Sequence, residues 1–114
     1  MNATVFYFSG TGNSLVAAET IAARLEKVRI LPLVQVARGE KIVVTDDILV
    51  FVFPVYAAGI PAIVERSLAN ITVKGLPYIA AVATCDSSAG AALGIFNKAL
   101  NRFCNRQLAA GWIT

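Results

Sequence analysis

Continuous apolar runs alternate along the chain with segments in which apolar residues recur every three or four positions. Residues 3–8 and 48–53 are rich in β-branched and aromatic residues and are bounded by turn residues, which is typical of buried strands. Residues 14–25 predict a helix with one apolar side against the sheet. The positions at helical spacing are Leu15, Ala18, Ile21, Ala22 and Leu25.

The rest of the chain continues this alternation. Strands are also predicted over residues 28–34, 76–84 and 108–114, and helices over residues 62–68 and 91–106. Pro32 places the 28–34 strand at a sheet edge, because proline cannot donate to a ladder. Pro61 suits the first turn of the helix that follows it. The polar segment 35–47 predicts a surface connection with a short strand at residues 41–44.

Strands that alternate with helices predict parallel pairing through right-handed crossovers. The fold class is therefore α/β, with a doubly wound parallel sheet. Residues 1–114 form one predicted domain without repeats or linkers, and 114 residues suffice for one core. A composition that is 57% hydrophobic and 15% charged fits a sheet buried on both faces and excludes intrinsic disorder.

Charge and apolar runs exclude two classes of partner. The net charge of +3 comes from scattered basic residues, and Lys98, Arg102 and Arg106 share one predicted helix face. We interpret this face as solvated and not as nucleic-acid binding, because no aromatic platform accompanies it. Residues 48–64 carry no charge, but prolines and a glycine interrupt the run, and it is shorter than the roughly 20 residues of a membrane span.

Metal and nucleophile chemistry lack the residues that they need. The chain has no histidine, and Cys85 and Cys104 do not have a metal-ligand spacing. Structural zinc, a Ser-His-Asp triad and Cys-His catalysis are therefore unsupported. The sequence does not begin like a signal peptide, so a cytoplasmic location is expected.

The segment Ser9-Gly10-Thr11-Gly12-Asn13-Ser14 joins the first predicted strand to the first helix, and we call it the first loop. A helix start offers unpaired N–H groups and a positive dipole end, which suit a phosphate. Its two glycines permit a tight turn and close approach to an anion. The loop contains no lysine or arginine, so neutral donors alone would hold the anion.

Three kinds of phosphate loop compete for this segment. A nucleoside-triphosphate loop needs a lysine where Asn13 stands. A dinucleotide fingerprint needs a third glycine where Leu15 stands. A short Ser/Thr-rich loop for a monophosphate survives, whereas a simple polar helix cap would explain only one or two of the six positions.

At this point the chain resembles a known family. Residues 6–14, Phe-Tyr-Phe-Ser-Gly-Thr-Gly-Asn-Ser, closely match the flavodoxin phosphate signature. Residues 53–61 and the segments 82–85 and 88–90 are similar to the second and third flavin loops of one branch. That branch comprises bacterial and archaeal flavodoxin–ferredoxin fusion proteins. The resemblance covers essentially the whole chain and implies a flavodoxin-like sheet of order 2-1-3-4-5.

The resemblance implies that FMN is the cofactor. The phosphate would be held by Ser9, Thr11, Gly12, Asn13 and Ser14. The ribityl chain and one flavin face would be lined by the second loop (residues 54–59), through Pro54, Val55, Tyr56 and Ala57. The ring would be bordered through backbone groups of Thr84 and of the third loop (residues 85–90), namely Cys85, Asp86 and Gly90. This arrangement agrees with ligand binding at the carboxyl ends of parallel strands.

Individual residues within this resemblance carry different expectations. Tyr56 directly follows a strand end, which favours stacking on the flavin over packing on the domain surface. Cys85-Asp86 replaces the aromatic and glycine common in relatives, and Cys85 is interpreted as a small buried residue without redox chemistry. Trp112 is expected in the core or at an exposed edge. No cysteine-rich cluster motif is present, so a ferredoxin half is absent from this sequence.

The resemblance favours an electron carrier over a substrate-specific oxidoreductase, with a redox protein such as a ferredoxin as partner. Two alternatives stay open: an FMN-free interaction module, and a flavin-dependent reductase on the same fold. A final helix expected after the fifth strand is missing, so the domain is expected to be C-terminally incomplete. Half of the side chains on residues 48–53 and 76–84 would then face solvent, where self-association could cover them.

Overall fold

The computed structural model of the protein describes residues 2–9, 12–55, 59–84 and 91–114, and for Asn13 the backbone alone. The elements in chain order are β1 (Ala3–Tyr7), α1 (Asn13–Ala22), β2 (Val28–Pro32), α2 (Leu33–Arg38), β3 (Ile42–Val44), β4 (Ile48–Pro54), α3 (Ala62–Leu68), β5 (Ile71–Val73), β6 (Tyr78–Thr84), α4 (Ala92–Cys104) and β7 (Ala110–Ile113).

The main sheet has five strands in the order β2-β1-β4-β6-β7, and every pairing in it is parallel. Counted along the chain as the main strands, this is the predicted order 2-1-3-4-5. The chain moves outward from β1 to β2 and then crosses to β4 on the other side. The topological switch point therefore lies between β1 and β4.

The larger core lies on the face of the sheet that α2, α3 and α4 cover. Four phenylalanines form its centre, and Phe51 joins them: its ring is 4.9 Å from Phe6 and 5.1 Å from Phe96. Phe96 of α4 also stacks on Phe53 at 5.0 Å. Successive inward positions of β4 thus hold α4 against the sheet.

The opposite face is covered by α1, whose Ala18 and Ala22 pack with Val5, Val50 and Val52. The predicted apolar stripe is confirmed at four of its five positions, 18, 21, 22 and 25, although α1 ends at Ala22 and not at residue 25. The chain continues past Ala22 in a tighter turn, since the Leu25 N–H donates to the Ala22 carbonyl only three residues back. The residue positions predicted for the other long elements agree within about two residues of the observed bounds.

Two elements were missed and one short strand is confirmed. The helix α2 replaces the end of the predicted strand 28–34 and the start of the predicted surface connection 35–47, and residues 71–73 form β5. β3, predicted at residues 41–44, pairs with β5 in a second, two-stranded parallel sheet. The amide of Asn70 donates to the Val36 carbonyl at 2.9 Å and so satisfies the end of α2. α2 has six residues and β5 has three, and elements of this length are too short to show a periodic pattern in the sequence.

The expectation of a broadly exposed apolar sheet face is wrong for the described residues. The positions buried on the α1 side of β4 and β6 are Val50, Val52, Ala80 and Val82. α1 itself covers β4, and the short β6 side chains are flanked in register by β4 and β7. Exposure there is concentrated at Tyr78 and Trp112, which are 49% and 54% accessible. Self-association through this face stays a prediction.

The two edges of the sheet differ in chemistry. β2 is an edge strand, as Pro32 predicted, and it also carries the charged Arg29. β7 forms the other edge without any charge or proline, and Trp112 lies on it, as expected for an edge residue. No helix in the described part of the chain is long and apolar enough to cross a membrane. The apolar run 48–64 is instead accounted for by β4 and the start of α3.

Two of the three basic residues on α4 and just after it have intramolecular partners. Arg106 donates to the carbonyls of Val73 and Gly75 at 3.0 and 2.9 Å. Arg102 pairs with Glu65 at 3.3 Å. Arg106 lies beyond the end of α4, where Asn105 adopts a left-handed conformation. These contacts favour a structural role for the two arginines over a nucleic-acid stripe.

Replacing Phe96 by alanine is expected to lower the free energy of unfolding by about 3–5 kcal/mol, because a fully buried ring in contact with two others is removed. The matched control on the same helix is Phe103→Ala. Phe103 is 38% exposed, and the Arg102 guanidinium lies over its ring at 5.1 Å from the centroid, so its loss should cost about 1 kcal/mol or less. Urea denaturation of both variants checks the difference. Equal losses would contradict the assignment of Phe96 to the core centre.

Candidate functional site

Three loops follow the carboxyl ends of β1, β4 and β6, which are adjacent in the sheet. Of the predicted site residues, the structure describes Ser9, Gly12, Ser14, Pro54, Val55 and Thr84. The predictions for Thr11, Tyr56, Ala57, Cys85, Asp86 and Gly90, and for the side chain of Asn13, lie outside the described residues. The described part of the candidate site consists of the strand ends and the start of α1.

The first loop closes on itself through a serine. The Ser9 hydroxyl oxygen accepts a hydrogen bond from the Gly12 N–H at 2.7 Å. Gly12 has φ of +95°, a left-handed conformation that strains any residue with a Cβ atom. A Cβ built at Gly12 would meet nothing within 4 Å, so the glycine is required by its backbone angle and not by crowding.

The start of α1 does not follow the pattern of a side-chain cap. Its N-cap residue is Gly12, which has no side chain, and the Gly12 carbonyl accepts the first helical bond from Val16 at 3.0 Å. The N–H groups of a helix's first turn have no partner within the helix. The alternative interpretation, in which the polar residues of the first loop serve only to cap the helix, is therefore disfavoured, because the N-cap residue of α1 carries no capping hydroxyl.

Ser14 and Thr84 are brought together although 70 residues separate them. The Ser14 side chain is only 1% exposed, and its Oγ lies 3.0 Å from Thr84 Oγ1. We expected Ser14 to face a phosphate and Thr84 to contribute backbone groups only. The side-chain contact between them was missed, since no local sequence signal reports a pairing across the sheet.

Thr84 also connects the ends of β4 and β6. Its carbonyl accepts a hydrogen bond from the Val55 N–H at 3.0 Å, just beyond the register pair Pro54 and Thr84. On the other side, the Phe8 N–H donates to the Val52 carbonyl at 2.9 Å. Backbone bonds thus fix the three strand ends relative to one another before any ligand is present.

Val55 uses its side chain for the core. It is partly buried and packs against the larger cluster together with Ile60. The expectation that Val55 lines a cofactor stays a prediction. Pro61 is buried and serves as the N-cap of α3 in an extended conformation, one position earlier than the first turn.

Neither thiol chemistry nor a metal centre is indicated in the described region. Burial raises the pKa of the Cys104 thiol to about 11, with the positive charge of Arg106 acting in the opposite direction. The thiolate is therefore disfavoured near neutral pH, and the Cys104 Sγ lies 3.5 Å from the Leu68 carbonyl. No group of three or more potential ligands among His, Cys, Asp and Glu occurs within the described ranges.

The sequence matches no protein-family model and no curated protein. Solved structures do match. A flavoprotein in complex with FMN from Lactobacillus acidophilus NCFM has a TM-score of 0.71 and 11% identity, over 98% of this chain and 92% of that one. A short-chain flavodoxin associated with a bacterial microcompartment has a TM-score of 0.66 and 18% identity, over 100% of this chain and 83% of that one.

An azoreductase from Bacillus anthracis str. Sterne is also similar, with a TM-score of 0.59 and 14% identity over 99% of this chain and 85% of that one. Together with the strand order, these similarities define the class: the chain has a flavodoxin-like α/β fold. The fold prediction is confirmed. The narrower resemblance to flavodoxin–ferredoxin fusion proteins stays a prediction.

Proposed function

We propose that this chain is an FMN-binding electron-transfer domain whose first loop, residues 9–14, holds the phosphate. The observation that carries the proposal is the position of this loop. It joins β1 to α1 beside the switch point, and its sequence resembles the flavodoxin phosphate signature. A solved protein of the same fold is an FMN complex.

The donors of the first loop fit a phosphate. Ser9 uses its hydroxyl oxygen to accept from Gly12 N–H, and this bond does not use the hydroxyl hydrogen, which could donate to a phosphate. The first turn of α1 adds backbone N–H groups and the positive end of the helix dipole. The N–H of Gly12 is already bonded to Ser9, so among the described groups the Ser9 hydroxyl, the Ser14 hydroxyl and the first-turn amides are the donors that a phosphate would meet.

The flavin ring would lie over the strand ends of β4 and β6. Pro54, Val55, Tyr56 and Ala57 on one side and Thr84, Cys85, Asp86 and Gly90 on the other would orient it, as the resemblance implies. When bound, FMN supplies the oxidation–reduction chemistry, and the chain supplies binding, orientation and local electrostatics. We propose a redox protein, such as a ferredoxin, as the partner that exchanges electrons with it.

A flavin-dependent reductase is the second candidate, because azoreductases share this fold. The described residues at the strand ends favour the carrier. Ser9, Ser14 and Thr84 are neutral hydroxyls, and none of the described residues that border the loops is an acid or a base. Oxidation of a reduced pyridine nucleotide at a substrate-dependent rate would favour the reductase.

A titration with flavins tests the phosphate assignment. FMN is expected to bind orders of magnitude more tightly than riboflavin, since each charge-assisted hydrogen bond to phosphate contributes about 1.5–3 kcal/mol. FAD is expected to bind poorly, because a loop that encloses a terminal phosphate leaves no exit for the AMP half. Quenching of flavin fluorescence gives the three dissociation constants. Equal affinity for FMN and riboflavin would overturn the proposal.

Gly12→Ala and Gly75→Ala form a matched pair. Both glycines have positive φ, +95° and +75°, and a Cβ at either position would meet nothing within 4 Å. Each substitution should lower the free energy of unfolding by about 1–2 kcal/mol from backbone strain alone. Only Gly12→Ala should also weaken FMN binding, because only Gly12 shapes the first loop. Urea denaturation measures the loss of stability, and flavin titration measures the loss of FMN affinity. Equal FMN affinity in both variants would argue against a role of the first loop in phosphate binding.

A further inference from the structure

The hydrogen bond between the Ser14 and Thr84 hydroxyls uses one of their two hydrogens, and the other is left for a second partner. Each hydroxyl carries one hydrogen and two lone pairs. At 3.0 Å one of them donates to the other, and either oxygen can be the donor. The accepting hydroxyl then keeps its own hydrogen for a second partner. The identity of the donor therefore decides which of the two residues can offer a proton to a ligand.

Thr84 is the more rigid member of the pair. Its backbone is fixed by the parallel register with Pro54 and by the hydrogen bond from Val55 N–H to its carbonyl. Its β-branched side chain also has few χ1 rotamers. Ser14 is the last residue of the first loop and lies in the first turn of α1, where a donated proton would reach an anion bound at the helix start.

From this geometry we propose that Thr84 is a positioning residue for the phosphate site: its Oγ1–H donates to Ser14 Oγ and thereby directs the Ser14 hydroxyl proton toward the phosphate. The inference rests on the proposed function and deepens it. It assigns to the side chain of Thr84 a role that the resemblance gave only to its backbone. Thr84, which directly precedes the third loop, would then act on the phosphate loop through Ser14.

Four variants separate this role from a structural one. Thr84→Val removes the hydroxyl and keeps the shape of the side chain, whereas Thr84→Ser keeps the hydroxyl. Ser14→Ala removes the hydroxyl that is proposed to donate to the phosphate. The fourth variant combines Ser14→Ala with Thr84→Val. The matched control is Thr4→Val. Thr4 is a fully buried strand threonine near the opposite end of the sheet, and its hydroxyl accepts a bond from Arg29 at 3.2 Å.

The dissociation constants of FMN and riboflavin are measured for each variant, and the melting temperature is measured without flavin. Thr84→Val is expected to weaken FMN about three- to tenfold, as for the loss of one orienting hydrogen bond, and to leave riboflavin within twofold. Ser14→Ala should weaken FMN more strongly. Adding Thr84→Val to Ser14→Ala should then have little further effect, and Thr84→Ser should restore wild-type affinity. Thr4→Val should change melting without changing the ratio of FMN to riboflavin affinity.

The inference is overturned if Thr84→Val weakens FMN and riboflavin equally, leaves FMN binding unchanged, or adds its full effect to that of Ser14→Ala. In those cases the Ser14–Thr84 bond only holds α1 to β6. Failure of the wild-type chain to bind FMN at all is a different result. It would overturn the proposed function, and the inference with it.

Discussion

Parallel pairing of β4 with β1 on one side and with β6 on the other is the interaction on which the rest of the molecule depends. It forces the apolar strands to be buried on both faces, which explains a chain that is 57% hydrophobic. It also brings three carboxyl strand ends to one edge of the sheet. The hydrogen bonds from Phe8 to Val52 and from Val55 to Thr84 extend the pairing past the strands, so the core and the candidate site share one framework.

Those parts of the fold that carry a repeated local signal could be predicted from the sequence. The continuous apolar run of β4 and the helical spacing in α1 report burial directly, and Pro32 reports the edge. α2 and β5 could not be predicted, because a six-residue helix capped by the amide of Asn70 and a three-residue strand depend on distant partners. The expected exposed face was wrong for a similar reason, since α1 covers β4 across the sheet.

The candidate site likewise contains residues that a local motif predicts and contacts that only the folded structure shows. Ser9 and Gly12 were found from the motif, and their conformations have local causes: a serine turn and a left-handed glycine. The role of Thr84 was visible only in three dimensions, because its hydroxyl and carbonyl contact residues from two other strand–loop junctions. A site built from neutral hydroxyls and backbone groups has few residues that sequence composition can reveal.

FMN binding is tested by the absorption spectrum of the purified chain after incubation with excess FMN and removal of free flavin. A two-banded flavin spectrum at close to one flavin per chain is expected. Mass spectrometry of the cofactor released by denaturation should identify it as FMN. A folded chain that stays colourless after this treatment would contradict the account and would favour an interaction module on the same fold.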